Sequence, residues 1–368
     1  MTYDNGVNSQ HVEGDGTSAL DTSKYNPRKM TSDERTSVIK AGAQFTRKSD
    51  EPWLLISGRF DSGGEHSTED YVKNSLYAAF GYPAERDPYL TINVVLDSPG
   101  GSLDSAYTTA LYLSAYAGKI DLYVPDRAKS ASTLLALAAN TVYLSPFGQL
   151  GPLDTQIPDP RNPTVSVSAL DCYQSVDYVR TFGAMTIQTV FNALLHETNR
   201  RLLAIDLLQK ACSFAENAVS PMLSQVTALD FGGWGRSLRI GEHYGRKLLE
   251  ARGVPPEEAE HIANTLVFKY THHFFPIDLR EATDIGLDNV EPMEKEVYDG
   301  TLEIVRLCNN KDFVGFISPE ESDKEKRGSL ARRNRDGLRS ARDETFSDRY
   351  ELSDRYEHAQ AEVHVGEY

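Results

Sequence analysis

Leu90-Thr91-Ile92-Asn93-Val94-Val95-Leu96-Asp97-Ser98-Pro99-Gly100-Gly101 is the stretch on which the fold turns. Its first part is an apolar run of the kind a strand shows when both faces are covered, and Asp97 to Gly101 stops it with turn residues. A helical window follows from about Leu103 to Ala117, anchored by Ala106, Ala110, Leu111 and Leu113. The pattern then repeats. Ile120 to Val124 reads as a strand ended by Pro125, a helix starts near Ser130 and runs through Leu134 to Ala139, and Thr141 to Leu144 is a further strand. Upstream, Trp53 to Ser57 is a short buried strand ended by Gly58, and a helix from Thr68 places Tyr71, Val72, Ser75, Leu76 and Ala79 on one face. Strands alternating with helices wind by right-handed crossovers into a parallel sheet, so the predicted class is α/β.

Four regions follow. Residues 1–50 are rich in Ser, Thr, Asn, Asp and Gly and read as a loose polar arm, with a short helix over 31–43 that Ser32 is placed to cap. Residues 51–165 form the α/β core, closing in a turn-rich segment from Ser145 to Pro163. Residues 166–317 are a helical extension that completes the domain, with helices over 168–218, 239–251 and 255–270; Glu257 and Glu258 stand in the first turn of the last. Phe231-Gly232-Gly233-Trp234-Gly235 reads as a connection between helices, with a mobile flap as the alternative, and Trp53 and Trp234 as packing anchors. Residues 318–368 carry few apolar side chains, a composition that does not recover the entropy of ordering; a disordered tail is expected there. Within it Ser347-Asp348-Arg349-Tyr350-Glu351 recurs as Ser353-Asp354-Arg355-Tyr356-Glu357, a solvated duplication or a docking peptide.

Composition narrows the partners. Of 368 residues, 54 are Asp or Glu and 38 Lys or Arg, a formal charge of −16 that disfavours duplex nucleic acid and anionic membranes. Cys172, Cys212 and Cys308 form neither a metal spacing nor a disulfide framework. No targeting segment is read at the amino terminus, and the longest apolar stretch is far too short to cross a bilayer. A soluble, cytoplasmic protein without metal or cofactor is expected.

Three motifs carry chemistry. Ser98-Pro99-Gly100-Gly101, between strand and helix, brings backbone N–H groups close to a ligand, though the same residues also make an ordinary turn. Ala128-Lys129-Ser130-Ala131-Ser132-Thr133 opens a small-residue helix after a strand. A serine there is either a nucleophile on a tight junction or an N-cap worth about 1 kcal/mol. Gly148-Gln149-Leu150-Gly151-Pro152-Leu153-Asp154-Thr155-Gln156 adds one carboxylate and an amide after the next strand.

This order of elements and motifs resembles the serine dehydrogenase proteinase family, within the Clp-protease/crotonase superfamily that also holds signal peptide peptidase A. The likeness covers about residues 53–157 and returns at 271–290, where Thr271-His272-His273-Phe274-Phe275-Pro276-Ile277 and Ile285-Gly286-Leu287 resemble the family's closing elements. The resemblance implies repeated β-α units around a mainly parallel sheet. It implies a serine peptidase acting on polypeptides, with Ser130 as nucleophile and Gly100, Gly101 and Ala131 forming the oxyanion hole. It also implies a homo-oligomer, a trimer or a multiple of one, in which a neighbouring subunit is able to supply the base. Ser132 and Thr155 depart from the family pattern.

The general base stays open. Where Clp-type proteases carry a histidine beyond the serine, this chain has Asp154, a candidate orienting group. His273, or His272, is the better chemical candidate because imidazole titrates near neutrality. Lys129 is a weaker one, and Lys119, Lys210, Lys247 and Lys269 are further options by analogy with signal peptide peptidases. Two other readings stand beside the hydrolase: a catalytically degenerate binding or scaffold protein of the same fold, and crotonase-type acyl-thioester chemistry.

Overall fold

The computed structural model describes residues 30–62, 67–83, 85–159 and 162–318. The elements are, in chain order, α1 (Ser32–Phe45), β1 (Trp53–Ser57), α2 (Thr68–Phe80), β2 (Asp87–Asp97), α3 (Leu103–Tyr116), β3 (Ala117–Val124), β4 (Arg127–Ala128), α4 (Thr133–Ala138), β5 (Thr141–Leu144), β6 (Gln149–Leu150), β7 (Gln156–Asp159), β8 (Asn162–Ser168), α5 (Ala169–Glu197), α6 (Ala204–Leu223), α7 (Ala228–Arg252), α8 (Pro256–Phe268), α9 (Leu279–Asp284), β9 (Val290–Pro292), α10 (Lys295–Cys308) and β10 (Phe313–Phe316). The architecture is mixed α/β. A six-stranded sheet in the order β10-β1-β2-β3-β5-β9 is parallel throughout except for β10, which runs antiparallel to β1.

Strand alternation divides the core between the two faces of this sheet. Leu54, Ile56, Val94, Leu96, Leu122 and Val142 join the large cluster beneath α2, α3, α4, α7 and α8. Trp53, Leu55 and Val95 point the other way and pack with Val38 of α1 and Ile304, Val305 and Cys308 of α10. On that second face Trp53 of β1 and Tyr123 of β3, which meet over β2, and then Tyr123 and Tyr143 of the adjacent β5, lie ring against ring at 4.8 Å. Among the described residues no helix is long and apolar enough to cross a membrane.

Several boundaries differ from the sequence reading. The expected arm enters the fold at Thr31, and it is Thr31, not Ser32, that caps α1: its hydroxyl accepts from Glu34 N–H while the Glu34 carboxylate accepts from Thr31 N–H. The 145–163 segment contains the β7–β8 hairpin rather than turns alone. The 166–317 region is more than a helical extension, since it supplies both edge strands of the sheet. Phe231 to Gly235 is neither flap nor connection but lies inside α7, which begins at a capping box between Thr227 and Asp230. Glycine is needed on its inner face: a Cβ at Gly241 would stand 2.9 Å from the Leu153 carbonyl oxygen, and one at Gly235 3.2 Å from the Tyr173 ring. The charged tail and its duplication lie outside the described residues.

Because Val38 is buried with the sheet, losing the cap of α1 acts on the whole domain. Thr31→Ala is expected to lower the unfolding free energy by about 1 kcal/mol, read from urea denaturation followed by circular dichroism. An unchanged midpoint would return residues 31–45 to a loose arm.

Candidate active site

Two chain crossovers leave the carboxyl ends of neighbouring parallel strands, the region where open α/β sheets bind ligands. After β2 the chain turns at Ser98 to Gly101 into α3; after β3 it passes through β4 and a single 3-10 turn, Ser130–Ser132, into α4. The two exits are tied together, Ser98 N–H donating to the Arg127 carbonyl (2.9 Å) and Lys129 N–H to the Ser98 carbonyl (3.0 Å). Gly100 therefore lies directly on the serine junction. A Cβ there would be 2.7 Å from the Ser130 Cβ and 2.6 Å from the Lys129 carbonyl oxygen, and its φ of +100° belongs to glycine. Gly101, at φ +140°, abuts the Phe60 backbone just as tightly.

Ser130 itself sits at φ +53°, left-handed backbone that a non-glycine residue enters at a cost of about 1–3 kcal/mol. Its hydroxyl does not cap the following helix, and among the described residues no hydrogen bond engages it. Capping by Ser132 is excluded as well. Ser132 is fully buried and its Oγ donates to the Lys129 carbonyl at 2.6 Å, which holds the turn instead of crowding the site. Of the expected oxyanion donors, Gly100 is a correction: its N–H already donates to Ser98 Oγ at 3.1 Å. The N–H groups of Gly101 and Ala131 carry no partner among the described residues.

Asp154 and His273, 119 positions apart, are brought together: His273 Nδ1 lies 2.5 Å from Asp154 Oδ1. Asp154 is buried and its second oxygen accepts from Ser168 Oγ at 2.9 Å. The pair lines an open cleft of about 530 Å³ with Gln156, Ser168, Asp171 and Phe274. His272 is exposed and faces the same cleft; its Nδ1 accepts from Phe274 N–H. Ser130 is not in the wall of this cleft, and no hydrogen bond joins it to His273. The two lie on one scaffold nonetheless. Gly151 packs so closely on the Ser130 junction that a Cβ there would be 2.9 Å from Ser130 N, and Leu150 forms an antiparallel bridge with Ile277.

Lys129 joins the two halves. Its Nζ donates to the carbonyls of Leu150 (3.0 Å) and Phe275 (3.4 Å), so it points along the scaffold and not at Ser130 Oγ. Burial lowers its pKa to about 8, with Asp126 partly opposing. The remaining lysine candidates are occupied or remote: Lys119 pairs with Asp121, Lys269 with Glu281, Lys247 approaches Glu250, and Lys210 is exposed on α6. The bond from Ser98 Oγ to Gly100 N–H escaped the sequence reading, although serine two residues before a glycine is a known local turn signal.

The Lys129 pKa has a consequence for stability. Between about 8 and the usual lysine value of 10.5 the folded chain has released a proton that the unfolded chain still holds. Stability contributed by Lys129 therefore rises with pH across that window, and is lower where both states are protonated. Comparing wild type with Lys129→Met by urea unfolding at pH 7 and near pH 10, the difference is expected to shift in favour of wild type at the higher pH. Parallel pH profiles would contradict a buried, depressed lysine.

Comparison with known proteins adds little to this geometry. No protein-family model matches the chain. It is similar to the uncharacterized protein MJ0137 of Methanocaldococcus jannaschii, 25% identical over 207 residues, which is 56% of this chain and 56% of that protein. The chain thus spans about half the length of the curated relative it matches.

Proposed function

We propose that this protein is a serine hydrolase of Clp/crotonase type, acting on peptide bonds through an acyl-enzyme on Ser130. The observation that carries the reading is the Ser130 junction: a strained left-handed serine with an unengaged hydroxyl, pressed against a glycine turn beside two free amides. Nucleophilic serines use such sharp strand-to-helix turns to hold Oγ clear of the backbone. In this reading Ser130 Oγ bonds to the substrate carbonyl carbon, and the oxyanion receives the N–H groups of Gly101 and Ala131. One such donor is worth about 2.7–4 kcal/mol in the transition state.

His273, oriented by Asp154, takes the serine proton and returns it to the leaving amine, and water then releases the acyl group. Closing that relay requires the His273 loop to move towards Ser130, since apo catalytic contacts are commonly longer than those in the substrate complex. An extended substrate lies along the Pro99-Gly100-Gly101 edge by strand addition.

A second reading is favoured by one observation, the missing contact between Ser130 and any base: the same fold as a non-catalytic binding or scaffold protein. Fluorophosphonate labelling separates the two. The hydrolase reading expects labelling of wild type, none of Ser130→Ala, and a rate at least about 100-fold lower in His273→Ala. An unlabelled wild type, or equal labelling of Ser130→Ala, would leave the binding protein as the better account.

A further inference from the structure

An oxyanion hole works only if its amides keep a fixed direction, and the amide of Gly101 is the harder of the two to hold. The peptide that carries it joins two glycines, both at positive φ, +100° for Gly100 and +140° for Gly101. Glycine visits both halves of φ space at little cost, so this peptide is free to turn over unless a neighbour intervenes. Turned over, it would present a carbonyl where an N–H is wanted.

Two bonds oppose that rotation. Phe60 N–H donates to the Gly100 carbonyl at 2.9 Å, and Ser102 N–H donates to the Phe60 carbonyl at 2.7 Å. In a trans peptide C=O and N–H point in opposite directions, so a Gly100 carbonyl held towards Phe60 sends the Gly101 N–H away from it. Phe60 follows β1, and β2 lies between β1 and β3 in the sheet. Away from Phe60 is therefore towards the serine junction that follows β3. The second bond acts on the preceding peptide. Gly100 N–H donates to Ser98 Oγ at 3.1 Å, which fixes the plane from which the Gly100–Gly101 unit departs.

We propose that Ser98 is a positioning residue for the oxyanion hole: by holding the Gly100 N–H, its hydroxyl aims the Gly101 N–H at the carbonyl oxygen of the bond that Ser130 attacks. The proposal rests on the hydrolase reading and adds to it a side chain that acts only through another residue. Ser98 is fully buried, and its backbone serves the second donor. Its N–H donates to the Arg127 carbonyl and its carbonyl accepts from Lys129 N–H, which places the segment leading to Ser130 and Ala131. One residue thus spaces both amides. Ser145, buried after β5, shows the same local turn away from the site: its Oγ accepts from Phe147 N–H, two residues on, at 3.0 Å. There the next amide, Gly148 N–H, is taken by the Ser145 carbonyl at 3.0 Å. After Ser98 the next amide is that of Gly101, which carries no partner among the described residues. The turn is shared; the free amide belongs to Ser98 alone of the two.

Full-length wild type, Ser98→Ala and Ser145→Ala are compared by the rate at which an alkyl fluorophosphonate labels Ser130, with kinact and KI separated by varying the probe concentration. The probe's phosphoryl oxygen takes the oxyanion position as Ser130 Oγ displaces fluoride. Ser98→Ala is expected to lower kinact at least about tenfold with KI within about twofold, because a misaimed donor is felt in the transition state and not in binding. Ser145→Ala is expected to keep both constants. Equal loss of kinact in the two variants would mark a general effect of removing a buried serine bond and would overturn the proposal. So would a Ser98→Ala that labels as fast as wild type, a result that leaves the hydrolase reading standing. A wild type that is not labelled sinks both. Amide exchange in the wild type, followed by NMR, needs neither variant nor activity: Gly100 is expected to exchange at least about tenfold more slowly than Gly101. A Gly101 amide as protected as that of Gly100 would show that it is not free to receive an oxyanion.

Discussion

The close approach of two backbone turns governs this molecule. Hydrogen bonds between Ser98 and the 127–129 segment draw the exits of β2 and β3 together until no side chain fits at Gly100. Ser130 is thereby held at positive φ, a conformation that survives only where neighbours over-determine it. They do so here. Ser132 N–H and Oγ both bond the Lys129 carbonyl, and Thr133 Oγ1 lies within reach of the carbonyls of Ala128 (3.0 Å) and Gly151 (2.8 Å), one of which takes its single proton. Each such bond is worth about 0.5–1.5 kcal/mol net, so a few of them offset the backbone strain and fix the direction of the serine side chain.

The same turn organises what lies beyond it. Gly151 N–H approaches Thr133 Oγ1 at 3.1 Å, and Leu150 exchanges both backbone bonds with Ile277. Core and helical extension are therefore joined at the base of the site, by backbone and by the half-buried amine of Lys129. A half-buried ammonium that bonds two carbonyls from different segments positions them relative to one another, and this accounts for its place beside the serine better than proton transfer does.

The sequence carried the central β-α units plainly, because β2, β3 and β5 are apolar runs flanked by turn residues and helical windows. It did not carry β9 and β10. Three and four residues long, they are too short for periodicity to register, and their places at the sheet edges follow only from tertiary pairing. α7 was hidden by Gly232, Gly233 and Gly235, which read locally as a loop; Gly235 packs against the Tyr173 ring, whereas Gly232 and Gly233 are exposed with no neighbour that calls for glycine, and the capping box at Thr227 starts the helix ahead of them. The motif residues were legible as types. Spacing had no means of disclosing that Asp154 meets His273, since their contact depends on the path of four helices between them.

Ser168 shows how that pairing is fixed. A hydroxyl has one proton to give and two lone pairs to accept with. Ser168 gives its proton to Asp154 Oδ2 and accepts from the N–H groups of Leu170 and Asp171, which caps α5. The bond holds Oδ2 towards Ser168, and Oδ1 faces His273 Nδ1. A ring N–H at Nδ1 is placed to donate to that oxygen, which leaves Nε2 on the far side of the ring. The helix cap at the root of the α5–α6 hairpin thus also holds the carboxylate that faces His273.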